Sequence, residues 1–265
     1  MPPDSLLYAT LLLYAGGTLL TLASLWNRSA SPQKLGAAVM LIGLIAHTLW
    51  IGTICSRTGH PPLTNLPEIT GFLSWMIVLA QLVMGQRFRL HASAFFVYPL
   101  ALLLLTISAV IGESIVPLPP ALQSNLFLAH LLLTTLGVAG LFIGLAFTAL
   151  YRIHERALKL HRRGRLYDWI PSLRLCDVLS IRSLAIGFLI YTFGLIAGIL
   201  WLFRVPENQK HALGAKEIGA IVAWFLFATL IQSYLRGSFR TRSTLFVSAG
   251  AFISIIIAIF GIQHV

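Results

Sequence analysis

Eight long stretches of this chain run for about twenty residues each with almost no charge, and that constrains the fold more than any other feature. A span across the hydrocarbon core of a bilayer needs ~20 apolar residues at helical rise. The apolar runs fall at about 5–26, 35–55, 69–86, 93–112, 124–151, 179–203, 218–235 and 244–262. Inside hydrocarbon no water satisfies backbone N–H and C=O groups, so only helices and closed barrels cross, and a barrel strand alternates polar with apolar residues. These runs are continuously apolar. The expected fold class is therefore all-α, a polytopic membrane helix bundle with about eight transmembrane helices. With 57% hydrophobic residues, 10% charged residues and a mean hydropathy of +0.85, the composition excludes a water-soluble domain.

The net charge of +11 is not a nucleic-acid signal, because the basic residues sit in short connections between apolar runs and not on a folded polar surface. Their distribution sets topology instead. Odd-numbered connections carry Arg28 and Lys34, Arg87 and Arg89, a dense set from Arg152 to Arg174, and Arg236, Arg240 and Arg242. The even-numbered ones carry only Arg57, and then Arg204, Lys210 and Lys216. Lys and Arg concentrate on the cytoplasmic side, so both termini are expected outside a cytoplasmic (inner) membrane. The first run lacks a basic n-region and a clear small-residue cleavage site, and is read as a retained helix. No long repeat or soluble boundary interrupts the chain, which reads as one transmembrane domain over 1–265.

The connections differ in kind. The outer segment from Ser56 to Glu68 holds Pro61, Pro62 and Pro67 and is expected to form a fixed lid over neighbouring helix ends, with Asn65 and Glu68 bonding backbone groups. Arg152, Arg156, Lys159 and Arg163 recur at helical spacing, so the fifth helix is expected to continue into the cytoplasm and meet anionic lipid headgroups. Cys55 and Cys176 fall on opposite membrane sides, and no disulfide follows.

Neither GxSxG, HExxH, a Walker loop, a helix-opening GxGxxG nor a pair of membrane-embedded carboxylates is present, and an enzyme is not expected. Ionisable groups within a membrane are costly and point to function, and here they are mostly histidines. His91, His154 and His161 lie among cytoplasmic arginines, where contact with headgroup phosphates accounts for them. His60 and His211 read as loop residues. His47, inside the second helix, is either a helix-packing hydrogen bonder or a cofactor ligand. His130, near the outer start of the fifth helix, and His264, at the end of the last, can supply both axial positions of a haem iron from one membrane face. Trp26, Trp50, Trp75, Trp201 and Trp224 lie near span ends, where indole anchors at the headgroups, although the same rings could receive a flat porphyrin.

Several stretches, in order along the chain, resemble the cytochrome c assembly proteins of the CcsA and HemX type. They include Thr58-Gly59-His60-Pro61-Pro62-Leu63-Thr64-Asn65-Leu66-Pro67-Glu68, the segment Phe95 to Leu105, and Ala129-His130-Leu131-Leu132 through Tyr151. Asp177 to Trp201, with Ile186-Gly187-Phe188 and Gly194-Leu195-Ile196-Ala197-Gly198, and Lys216-Glu217 through Trp224, with Arg236-Gly237 and Arg240, complete the set. The resemblance implies a membrane protein that receives haem, holds it on an outer tryptophan-rich loop between two external histidines, and presents it to apocytochrome c. It implies haem and other cytochrome c assembly components, or haem-biosynthesis proteins, as partners. His130 matches the histidine before that loop, and His264 stands for the one after it. Where the family reads Trp-Asp-Pro-Lys-Glu, this chain has Leu213-Gly214-Ala215-Lys216-Glu217, with no tryptophan between Trp201 and Trp224. Gln232 stands where the family has a further histidine. These departures fit a HemX-like branch, for which the alternative is a regulatory or scaffold protein affecting haem synthesis without binding haem.

Overall fold

The computed structural model describes residues 3–27, 30–88, 91–112, 124–161, 170–205, 214–236, 247, 250–251 and 253–258. The described residues form helices joined by short connections, with no strand among them. The helices are α1 (Pro3–Asn27), α2 (Ala30–Thr58), α3 (Leu66–Phe88), α4 (Ala94–Ile111), α5 (Asn125–Lys159), α6 (Leu173–Leu202) and α7 (Ala215–Leu235). All 7 are long and apolar enough to cross a membrane. Residues 250, 251 and 253–258 are helical too, in the last apolar run. The protein is a multi-pass membrane protein, as its apolar runs demand.

Local chemistry sets the helix ends. Ser124 accepts the Phe127 N–H at 3.1 Å to open α5, Ser172 accepts the Leu175 N–H to open α6, and Glu217 takes the Gly214 N–H at 2.7 Å at the start of α7. Gly59 (φ 75°) follows the end of α2 and Gly112 (φ 82°) that of α4, where left-handed backbone lets the chain leave the helix without a Cβ clash. α5, with 35 residues, is ~50 Å long at helical rise, well beyond a hydrocarbon core of ~30 Å. It carries Arg152 and Lys159 past the apolar part, where both pair with Glu155 (3.4 and 2.9 Å).

Helices pack as sequential antiparallel pairs, α1 with α2, α3 with α4 and α5 with α6. α4 rests on α1, α3 on α5, and α7 on α6. The connection after α2 forms the expected lid. Glu68 receives the Thr64 N–H (2.9 Å), the Thr64 hydroxyl (2.8 Å) and the Asn65 side-chain amide (3.0 Å), and Asn65 Oδ1 accepts the Glu68 N–H (3.0 Å). Leu63 is fully buried beneath it. His60 is part of this local structure, its Nδ1 3.0 Å from the Pro61 carbonyl.

Candidate functional site

α5 and α6 meet along a seam of glycines. An added Cβ at Gly137 would stand 2.6 Å from the Tyr191 backbone N, one at Gly187 2.7 Å from the Leu141 N, and one at Gly144 2.7 Å from Leu184 Cγ. Close backbone approach of this kind is how helices associate in lipid, where apolar burial supplies no drive between them. His130 lies at the end of the seam nearest the start of α5, five residues into that helix and so ~8 Å from its first residue. Its Nδ1 is 2.8 Å from the Gly194 carbonyl of α6, and its ring occupies the space where a side chain at residue 198 would stand: a Cβ on Gly198 would come within 2.6 Å of Nδ1 and 2.8 Å of Cε1.

A carbonyl only accepts, so a neutral His130 donates from Nδ1 and carries its ring lone pair on Nε2. That is the tautomer of a metal-ligating histidine oriented by a carbonyl behind it. One turn further out, Phe127 and Trp201 stack at a tilt with ring centroids 4.9 Å apart. The cradle at Gly198, the fixed tautomer and an imidazole donor fit haem iron chemically. His264 lies outside the described residues, as does His211.

His47 has a different setting. It is fully buried, with Nδ1 3.2 Å from the Tyr14 hydroxyl across the α1–α2 interface and its ring 5.4 Å from that of Trp50. α3 and α4 stand between this pair and α5–α6. The structure therefore does not bring His47 together with His130, and encloses it too completely for a macrocycle to reach. Helix packing, the first of its two sequence readings, describes this geometry. Among the described residues, no group of three or more His, Cys, Asp or Glu side chains could hold a metal ion. The cavity under the lid, about 20 Å³ between Trp50, Arg57, Glu68 and Ser108, admits about one water. A larger crevice of about 230 Å³ between α3, α4 and α5 is lined by Ile77, Phe96, Phe142 and other apolar residues, without a ligating atom.

Other sequence readings shift. His154 is buried, with Nδ1 3.1 Å from the Pro171 carbonyl, so it ties the segment before α6 back to α5 and is not a headgroup contact. Trp50 is 2% exposed and packs on Gly71, and Trp224 donates to the Thr192 hydroxyl at 3.0 Å, ten residues into α7. Neither is a belt anchor, whereas Trp26 is 67% exposed, as an anchor should be. Gln232 is exposed near the end of α7.

Residues 63–265 match the family model described as cytochrome C assembly protein, from the lid onward. The chain belongs to this cytochrome c assembly family. It is similar to the cytochrome c biogenesis protein CcsA of Guillardia theta, 25% identical over 248 residues that cover 86% of this chain and 82% of that one. It is likewise similar to CcsA of Prochlorococcus marinus strain MIT 9301, 26% identical over 257 residues (87% and 83%), and of Chlamydomonas reinhardtii, 25% over 236 residues (86% and 64%). The family resemblance read from the sequence is thereby borne out. These relatives are CcsA proteins, and they lend no support to a HemX-like placement or to the regulatory alternative. His130, α5 and α6 all lie within the matched region, and α1 and α2 precede it.

Proposed function

We propose that this protein handles haem during cytochrome c assembly, holding it at the outer end of α5–α6 with His130 as an axial ligand and presenting it to a partner for attachment. The observation that supports this most is the setting of His130: a ring held by a backbone carbonyl, in the tautomer that ligates, in a cradle left by Gly198, at the end of a helix pair inside the family-matched region. His264, at the far end of the last apolar run, is the candidate for the second axial position. Haem is cargo in this reading. The protein performs no reaction on a soluble substrate, and its residues bind, orient and release.

The setting follows from charge. In this reading Arg152, Arg156 and Lys159 on the extension of α5 lie on the cytoplasmic side beside anionic lipid, with both termini and the lid on the outer side of a cytoplasmic membrane, as the bias of Lys and Arg to that side supports. Other cytochrome c assembly components are the expected partners there. The direct test is an absorption spectrum of the protein purified in mild detergent, with and without haem, beside His130→Ala. A Soret band that is lost in the variant supports the reading, and a band of equal strength in both overturns His130 as a ligand.

A further inference from the structure

We propose that α6 positions His130 for ligation: the Gly194 carbonyl holds the ring as its Nδ1–H tautomer, and the missing side chain at Gly198 is the seat without which that bond cannot form. The inference rests on His130 as a haem ligand for its consequence, though its geometry can be tested without haem. Gly194 and Gly198 stand one turn apart on α6, so the carbonyl and the cradle face α5 on one stripe. His130 meets both. The outward side of the seam is closed by Phe127 and Trp201, three residues before His130 and three after Gly198 on antiparallel helices. Inward, Thr134 fills the next turn: its hydroxyl bonds the His130 carbonyl at 2.6 Å, and its Cγ2 is 2.7 Å from where a Cβ on Gly194 would be. His130 thus sits between these two turns of the seam, with the α6 backbone at Gly194 and Gly198 against its ring.

A methyl group at 198 overlaps the ring atom that makes the bond. The ring must then turn or withdraw, Nδ1 loses its fixed acceptor, and Nε2 no longer holds the lone pair in a fixed direction. Second-shell partners of metal-bound histidines typically change affinity by ~10- to 100-fold when removed. Gly198 is a positioning residue in this account, and its effect passes through His130.

The experiment compares wild type with Gly198→Ala, Gly140→Ala and His130→Ala in detergent. Gly140→Ala is the control for seam packing: its Cβ would stand 3.0 Å from Gly187 Cα, on the same seam ten residues from His130. In haem-free protein labelled with ¹⁵N-histidine, wild type and Gly140→Ala are expected to share a His130 signal with protonated Nδ1 and unprotonated Nε2. Gly198→Ala is expected to shift that signal towards a mixture of tautomers. With haem added, Gly198→Ala is expected to bind ~10-fold or more weakly with an altered Soret position, and Gly140→Ala within about twofold of wild type. A Gly198→Ala protein whose tautomer signal matches wild type overturns the proposal, as does one that shifts no more than Gly140→Ala. If wild type takes up no haem, or His130→Ala binds it equally well, the haem reading fails. The tautomer comparison then still decides whether α6 orients the ring.

Discussion

Replacing Gly187 with alanine tests whether the glycine seam holds α5 against α6. The new Cβ would lie 2.7 Å from Leu141 N, 2.9 Å from Gly140 C and 3.0 Å from Gly137 O, all backbone atoms that no rotamer change can move aside. Restoring ordinary separations of ~3.5–4.0 Å requires the helices to part by roughly 1 Å. Overpacking of this kind costs about 1–3 kcal/mol. Gly52→Ala is the matched comparison, because Gly52 lies exposed on α2 and an added Cβ there meets nothing within 4 Å. Both substitutions gain the same helix propensity, up to ~1 kcal/mol. Unfolding by SDS titration in mixed micelles, followed by tryptophan fluorescence, should therefore find Gly52→Ala neutral or slightly stabilised and Gly187→Ala destabilised by about 1–2 kcal/mol. Equal midpoints for the two variants would show that the helices are not in contact through their backbones, and the account of the seam would fall with them.

Glu68→Ala removes the acceptor of three hydrogen bonds in the lid, at a cost of about 1–2 kcal/mol. Amide exchange over residues 59–66 should accelerate by ~10-fold, and exchange that is fast already in wild type would show the segment to be a tether. Tyr14→Phe leaves buried His47 without its Tyr14 hydroxyl and should cost about 1–3 kcal/mol in the same SDS titration, with haem uptake unchanged. A loss of haem with Tyr14→Phe would return His47 to the site. Reporter fusions after Val265 and near Arg163 should report opposite compartments, and a shared compartment would refute the eight-span topology.

How much of this was legible in the letters depends on how local the determining physics is. The cost of unsatisfied backbone in hydrocarbon acts on every run separately, so the number and order of spans could be read directly. Boundaries could not: α6 starts at Leu173, six residues before the apolar reading at 179, because Ser172 caps it and its first turns carry Arg174 and Asp177, which look like loop. The lid was readable because Asn65 and Glu68 bond within four residues of each other. His130 could be singled out as a candidate from its place near the start of the fifth apolar run, but nothing near it in sequence names Gly194, 64 residues on, as what holds its ring.

The same limit explains the tryptophans and His154. A polar group inside the bundle demands a partner, and the demand is visible in one residue, whereas the supply comes from another helix. Trp224 looked like an anchor at a span end because Thr192, which accepts its N–H, is 32 positions away. Tyr191 reaches the Ala220 carbonyl by the same logic, and His154 reaches Pro171. The two glycine rows, 137-140-144 on α5 and 187-194-198 on α6, sit in the sequence at spacings that put each row on one helix face. Small residues so spaced announce a close approach without saying to what. Since the rows meet each other, the approach brings the α6 backbone near enough for a carbonyl to act on a side chain of α5. A bulkier residue at 198 would leave His130 in the sequence and displace its ring from the carbonyl that holds it.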